Sequence, residues 1–361
     1  MKKSLIALAV AGAFAAPAFA ATENVDVYGK VHASISMFDD QQDVTTGGAT
    51  AVNDVQISSN ASRFGIKGAE DLGGGLSGIW QIESGVNLDE QTGTLASRNS
   101  FVGLKGGFGT VLLGNHDTPL KLVGRAVDLF GDTMADSRNV NGVGSDARAK
   151  NVLAYITPNM GGFGVAAAYS TDFNGTANAT GDAKDNAVYN LSATYNNGPI
   201  FVGLGYGDGD GHENAGIGSQ LRLAAGLTFG PAKIVAQFDT LDDDSHFQGQ
   251  AGDFESFMVG AAFTFGNVVL KANYMEGTYD GDINAVDELG AAPQAGYDVE
   301  QFTIGADYNL SKRTTVYALY AAGTNITMGK GAGSSDQLAG SNLQVGDRDI
   351  SVVSLGVVHS F

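Results

Sequence analysis

Hydrophobic and polar positions alternate along almost the whole chain after residue 20. In the segments 221–229, 257–265 and 301–310, apolar side chains occupy every second position, and small or polar side chains fill the positions between them. Because successive side chains of a strand point to opposite faces, a period of two predicts β-strands. The chain is therefore predicted to be all-β.

The polar faces of these strands carry groups that a dry protein core does not accept. They include Arg222, Asp239, Lys271, Asn273 and Asp307, and burying such groups without partners is costly. The apolar faces continue from strand to strand, and the chain has few other apolar segments to cover them. Lipid outside and water inside satisfy both faces, which predicts a transmembrane antiparallel β-barrel.

Short and long connections alternate between the predicted strands. The short ones are rich in Gly, Asn and Pro and lie at 73–75, 106–107, 158–162, 196–199, 230–231, 266–267 and 311–312. The long ones are polar and lie at about 39–54, 88–97, 117–147, 171–186, 207–217, 240–253, 277–298 and 323–347. This asymmetry is typical of tight periplasmic turns and long external loops, and it predicts about sixteen strands with both termini in the periplasm.

Aromatic residues cluster near the ends of the predicted strands. Rings with one apolar and one polar end suit the two membrane interfaces, so we expect them to form two girdles around the barrel, although strand propensity alone also favours aromatics. The residues are Tyr28, Tyr155, Tyr169, Tyr189, Tyr195, Tyr206, Phe229, Phe265, Tyr274, Tyr308, Tyr317, Tyr320 and Phe361.

The N-terminus predicts export. Lys2 and Lys3 precede an apolar stretch from 5 to 16, and Ala18-Phe19-Ala20 follows as a small-residue cleavage site. The stretch is too short to span a bilayer as a helix. We therefore expect residues 1–20 to be a signal peptide and residues 21–361 to form one barrel domain.

Composition excludes several functions. The chain carries 20 basic and 39 acidic residues, a net charge of −19, which argues against nucleic acid as a partner and indicates a mild preference for cations. It has no cysteine, so neither disulfides nor thiol catalysis are available. No nucleophile motif such as G-x-S-x-G occurs, and the five histidines are scattered. We predict no catalytic residues, metal site or cofactor.

Two acidic stretches in the long loops leave an alternative open. Asp208, Asp210 and Glu213 lie among glycines, and the run 242–244 is entirely aspartate, but neither matches a calcium-binding loop. Solvated loop charge explains both; a weaker hypothesis is that they bind divalent cations that bridge to lipid phosphates. A barrel used for adhesion would carry aromatic or apolar anchors in its loops, whereas these loops are mainly Gly, Asp, Asn, Thr and Ala.

Several motifs together resemble the Gram-negative general diffusion porins. They are Val27-Tyr28-Gly29-Lys30, the run 62–73 (SRFGIKGAEDLG), the run 98–105 (RNSFVGLK) and a last strand that ends at Phe361. The resemblance implies a homotrimeric sixteen-stranded channel for passive diffusion of ions and small polar solutes. It implies lipid, lipopolysaccharide and the outer-membrane assembly machinery as partners, with Phe361 as the assembly terminus.

The resemblance also implies that the third long loop, 117–147, folds into the lumen and narrows it. The matching basic wall positions are Lys30, Arg63 and Arg98, and the loop offers Asp128, Asp132 and Asp136 as the acidic counterpart. Alternation along the strands adds further residues to the lumen face: Lys67, Gln81, Glu83, Arg148 and Lys150. Opposed charges would set a transverse field across the passage; each is otherwise a solvated lumen residue without influence on transport.

Overall fold

The structure is a computed structural model of the chain. It describes residues 25–42, 54–89, 94–142, 144–173, 186–209, 218–242, 253–280, 297–326, 328 and 348–361. The expected signal peptide, residues 1–20, lies outside the described residues, as do parts of several long connections.

The described chain consists mainly of strands. They are β1 (Val25–Gln42), β2 (Asp54–Ser59), β3 (Arg63–Gly73), β4 (Leu76–Gly85), β5 (Ser100–Gly106), β6 (Gly109–Asp117), β7 (Arg148–Ile156), β8 (Phe163–Ser170), β9 (Val188–Asn197), β10 (Ile200–Asp208), β11 (Ser219–Phe229), β12 (Ala232–Asp242), β13 (Asp253–Phe265), β14 (Val268–Asp280), β15 (Tyr297–Asn309), β16 (Thr314–Thr324) and β17 (Arg348–Ser360). Two short helices lie between β6 and β7: α1 (Pro119–Arg125) and α2 (Arg138–Asn141).

Every neighbouring pair of strands is antiparallel, and β1 pairs with β17, so the sheet closes on itself. β2 and β3 both pair with β1 and together make up one strand of the barrel, which is interrupted around Ala61, where the φ of 50° is left-handed. The seventeen labelled segments therefore form a sixteen-stranded barrel, as the connection pattern predicted. The short turns at 73–75, 230–231 and 266–267 lie where the sequence placed them.

The two faces of the sheet differ as the alternation predicted. Leu221 and Leu223 are exposed on the outer face, whereas Arg222 between them is fully buried on the inner face. The outer face of the single chain is apolar along most strands, with exposed Leu, Val, Ile and Phe. That surface suits lipid, because its backbone groups are paired within the closed sheet.

Two of the aromatic residues expected in the outer girdles face inward instead. The hydroxyl of Tyr28 donates to Glu83 at 3.0 Å, and Tyr317 is buried with its hydroxyl 3.0 Å from His32 Nε2. Tyr28 is two residues from Lys30 and so shares its inward face. Tyr155, Phe229 and Phe265 are exposed on the outside, as the girdle prediction requires.

The inward loop, residues 118–147, occupies the barrel interior. The apolar side chains of its described part are buried against inward-facing apolar residues of β10 to β17; Phe130 and Met134 are 1% and 0% exposed. The interior therefore has a packed apolar side beneath the loop and a charged side opposite. Among the described residues, no helix is long and apolar enough to cross a membrane.

Candidate pore constriction

The inward loop begins with a helix that its sequence specifies. The Thr118 hydroxyl caps α1 by accepting from the Lys121 backbone N–H at 3.2 Å, and Pro119 opens the helix without losing a hydrogen bond. The helix packs on glycines of β10. A Cβ on Gly205 would lie 3.0 Å from Leu120 Cα, so the absence of a side chain allows the helix to approach the wall this closely.

Arg222 of β11 anchors the C-terminal part of the inward loop to the barrel wall. Its guanidinium pairs with Asp146 of the loop and with Asp239 of β12, and Nη2 donates to Asn141 O at 2.9 Å. Arg222 is fully buried. Burial alone would raise the pKa of Asp146, but Arg222 and Arg138 lower it to about 2. The pair is ionised and holds the loop at neutral pH.

A second arginine organises the tip of the inward loop. Arg125 Nη1 lies 3.2 Å from Asp128 and 2.7 Å from Asp136, and Nη2 lies 2.7 Å from Asp132. Burial and the neighbouring Asp136 carboxylate raise the pKa of Asp128 to about 7. Asp128 and Asp136 thus share the Arg125 cation, and partial protonation of Asp128 relieves the excess of negative charge between them.

Asp132 is the one acidic residue of this group that reaches the barrel wall in the described structure. Its carboxylate pairs with Lys30 and lies 3.7 Å from Arg63 Nη1. Burial alone would raise the pKa of Asp132, but Lys30, Arg125 and Arg63 lower it well below its usual range. A left-handed backbone at Asp132, with φ of 63°, turns the loop toward this contact.

The wall opposite the loop carries a cluster around Glu83. The carboxylate lies 2.6 Å from Arg98 Nε and 3.9 Å from Arg63 Nε, and it accepts from the Tyr28 hydroxyl. The Glu83 side chain is 9% exposed, whereas that of Arg63 is 28% exposed. Arg63 is therefore the member of this cluster best placed to meet a passing solute.

A third cluster centres on Asp117, at the end of β6. Its Oδ1 lies 3.1 Å from both Lys121 Nζ and Arg148 Nη2. Asn99 bridges Arg148 and Asp117, because its amide oxygen accepts from Arg148 Nε at 2.8 Å and its amide nitrogen donates to Asp117 Oδ2 at 3.1 Å. Burial and the nearby Arg138 cation lower the pKa of Lys121 to about 8, although Asp117 opposes the shift. The cluster joins the base of the loop to β7.

Most of the residues predicted for the constriction meet at one level of the lumen. Lys30, Arg63, Arg98, Glu83 and Asp132 form a connected set, and Arg148 lies in the adjacent cluster. Two other lumen predictions are nearby: Gln81 donates to Asn99 O at 3.0 Å, and Lys67 Nζ lies over the Tyr28 ring, 5.5 Å from its centroid.

Two predictions need correction in geometric terms. Asp128 and Asp136 turn toward Arg125 within the loop and do not face the basic wall, since their side chains are 1% and 0% exposed. Lys150 is exposed, and its place in the lumen stays a prediction. The left-handed backbone at Asn151, with φ of 52°, interrupts the alternation of β7 between Lys150 and Val152.

Sequence reasoning missed the residues that seat the loop: Lys121, Arg125, Arg138, Asp146 and Arg222. Arg222 was placed on the polar face but was given no partner, because nothing local in the sequence relates it to Asp146. The glycines of β10 alternate with Val202, Leu204 and Tyr206, and this pattern was an available signal. Inward glycines within a strand mark a close backbone approach.

The described residues contain no group of three or more His, Cys, Asp or Glu side chains arranged to hold a metal ion. The expected absence of a metal site or cofactor stays a prediction. The geometry consists of ion pairs and hydrogen bonds in a partly buried polar passage.

A family model described as Gram-negative porin matches residues 7–360. The Major outer membrane protein P.IB of Neisseria lactamica is 30% identical over 348 residues, which cover 92% of this chain and 96% of that protein. The anion-selective porin from Comamonas acidovorans has a TM-score of 0.70 and 25% identity, covering 94% of this chain and 99% of that one. The trimer form of OmpT from Vibrio cholerae shares the fold, with a TM-score of 0.65, 19% identity, and coverage of 94% and 99%.

Proposed function

Since this chain belongs to the Gram-negative porins and is therefore an outer-membrane channel for passive diffusion, we propose that ions and small polar solutes cross it beside the inward loop. The observation that carries this proposal is the closed barrel with an apolar exterior, charged groups inside and a loop seated on one inner wall. Porins of this kind are channels rather than enzymes.

The proposed constriction is the space between the inward loop and the wall that carries Arg63, Arg98 and Glu83. Solutes there meet the Arg63 guanidinium, the most exposed charge of the cluster. Polar solutes exchange water for these groups, whereas apolar solutes would have to displace ordered water without compensation. The Lys30–Asp132 pair forms one edge of the passage by joining the loop tip to β1.

The acidic composition indicates a mild preference for cations, whereas the similar porin from Comamonas acidovorans is described as anion-selective. We propose a preference for anions. Most carboxylates of the passage are paired with cations, including Glu83, Asp117, Asp132 and Asp146. Charges beyond about one Debye length, roughly 8–10 Å in physiological salt, are screened, so the loops matter less than the passage.

Assembly and export are proposed from the family and the sequence. We propose that the chain is cleaved after Ala20, forms homotrimers and inserts among lipid and lipopolysaccharide through the assembly machinery, with Phe361 as the recognised terminus. The Phe361 backbone exchanges two hydrogen bonds with Gly29, each 3.1 Å, where the barrel closes. The mass of protein isolated from outer membranes tests the cleavage site, and cross-linking of the folded protein tests the trimer.

Conductance across a planar bilayer tests the central proposal. The refolded mature chain should give discrete ohmic steps, and a salt gradient should produce a reversal potential that favours anions. Closure in thirds at high voltage would support the trimer. A folded, heat-modifiable barrel that gives no steps would contradict diffusion through the passage, and a reversal potential of the opposite sign would contradict the anion preference.

A further inference from the structure

A cavity of about 680 Å³ lies below the inward loop, at the end of the barrel that bears the short turns. Residues of the β5–β6, β7–β8 and β9–β10 turns line it at one end, and Ala126 of the inward loop lines it at the other. The charged constriction described above contributes none of its ion-pairing residues to the lining. The volume of the cavity falls within the range of roughly 300–1,000 Å³ that is typical of small-molecule sites.

The charge of this cavity is opposite to that of the chain. Lys105 and Lys233 line it, and no Asp or Glu does. Within the described part of the chain, neither lysine has a carboxylate within ion-pairing distance, although acidic residues outnumber basic ones about twofold in the whole sequence. Two ammonium groups without ion-pair partners in one recess attract an anion.

The rest of the lining supplies hydrogen-bonding groups and two aromatic rings. Ser192, Thr110, Thr228 and Asn196 contribute hydroxyl and amide side chains, and these make no side-chain hydrogen bond among the described residues. Phe163 and Phe201 add apolar rings, of which that of Phe201 is 4% exposed. Neutral donors and acceptors beside a cation suit a ligand that carries several hydroxyl groups as well as a negative charge.

We propose that this cavity is a weak binding site for a small polyhydroxylated anion of the sugar phosphate class, whose negative charge is balanced by Lys105 and Lys233. The proposal rests on the proposed channel function and deepens it by naming a class of solute. A site on a diffusion path must release its solute readily, so the affinity should be low. Such a site raises the local concentration of these anions at one mouth of the passage.

Block of single-channel current tests the site, with glucose 6-phosphate as the probe and glucose and inorganic phosphate as comparison solutes. Glucose 6-phosphate should block the native channel at lower concentration than either comparison solute. Lys105→Gln and Lys233→Gln should each raise the half-blocking concentration about tenfold, the effect of one lost charge-assisted hydrogen bond. Lys312→Gln, which removes the same charge from an exposed short turn outside the cavity, should leave it unchanged.

The possible failures are distinguishable. Loss of steps in plain salt would contradict the channel function itself. Normal steps without block by glucose 6-phosphate, or block that both lysine variants leave unchanged, would overturn the site and leave the channel intact. Equal block by inorganic phosphate would overturn the assignment to a sugar phosphate. Because two single variants are compared, misfolding of one, detected by loss of heat-modifiable mobility, does not remove the test.

Discussion

Replacement of Arg222 by methionine should release the inward loop while leaving the barrel closed. The methionine fills much of the same volume, but the cation that pairs with Asp146 and Asp239 is lost, together with the hydrogen bond to Asn141 O. Asp146 keeps Arg138 at 2.9 Å, whereas Asp239 keeps only Gln237 Nε2, at 2.7 Å, among the partners described. The variant therefore strands a buried carboxylate on the wall and removes the main anchor of the loop.

The expected magnitude follows from the burial of the pair. Arg222 is fully buried, and removing one partner of a buried ion pair typically costs about 3–5 kcal/mol. If that cost falls on the contact between loop and wall, the ratio of seated to released loop drops by about two to four orders of magnitude. The strands keep their backbone ladder, so the barrel itself should still fold.

A reporter cysteine measures this release directly. The chain has no cysteine, and Ala135 in the inward loop is 0% exposed, so Ala135→Cys introduces a single thiol that the seated loop protects. Labelling of the folded barrel by a small maleimide should be slow with Arg222 present and much faster with Arg222→Met. Lys312→Met, which removes a cation from an exposed turn, serves as the matched control and should leave the rate unchanged.

A charge-compensated variant separates the lost anchor from the stranded charge. Arg222→Met combined with Asp239→Asn removes the uncompensated carboxylate and should recover part of the protection. A labelling rate that changes less than about threefold in Arg222→Met, in a barrel that remains heat-modifiable, would refute the claim that Arg222 holds the loop in place.

Three further outcomes follow from the same contacts. Asp132→Asn should weaken the link between the loop tip and Lys30 and Arg63, so open-channel conductance and current noise should both rise; unchanged traces would contradict that link. The pKa values of Asp132 and Asp146 are lowered in the folded state, so their stabilisation of the seated loop is present above about pH 4 and is lost as the pH falls below that value. The raised pKa of Asp128 stabilises the seated loop at low pH, and this effect is lost progressively as the pH rises from about 4 through about 7. Labelling of Ala135→Cys over a pH series, corrected for thiolate content, should therefore be slowest near pH 4 and faster at pH 7, and a rate that keeps falling below pH 4 would contradict this balance. Gly29→Val should slow barrel formation because a Cβ there overlaps the Phe361 ring and lies 2.8 Å from the Arg63 backbone oxygen at the closing seam; refolding followed by gel mobility that proceeds at the native rate would contradict this steric effect.

The barrel could be predicted from sequence because its information is local. A period of two assigns each strand residue to one face, and the alternation of short and long connections gives the number of barrel strands. The same alternation also predicts that Tyr28 faces the lumen. Tyr28 lies two residues from Lys30 and therefore shares its face, so its position in the strand, and not its aromatic ring, determines where it points.

The wall of the constriction was predictable for the same reason, and the loop was not. Arg63, Arg98 and Glu83 lie on or beside regular strands, whereas Asp128, Asp132 and Asp136 lie in a segment without a repeating period. Their directions depend on Arg125, which gathers all three carboxylates. The left-handed backbone at Asn151 interrupts the alternation of β7 beside Lys150, so the parity of the neighbouring residues does not fix the direction of the Lys150 side chain.

Net charge is a poor guide to selectivity in this barrel because its interior charges are largely paired. Glu83, Asp117 and Asp146 each face at least one cation, so they contribute little field at a distance, and the external carboxylates are screened within roughly a Debye length. The field along the passage then depends on the cations that lack a close acidic partner in the described structure, Lys105 and Lys233, and on the partly exposed Arg63. A chain with a net charge of −19 is thereby expected to conduct anions preferentially.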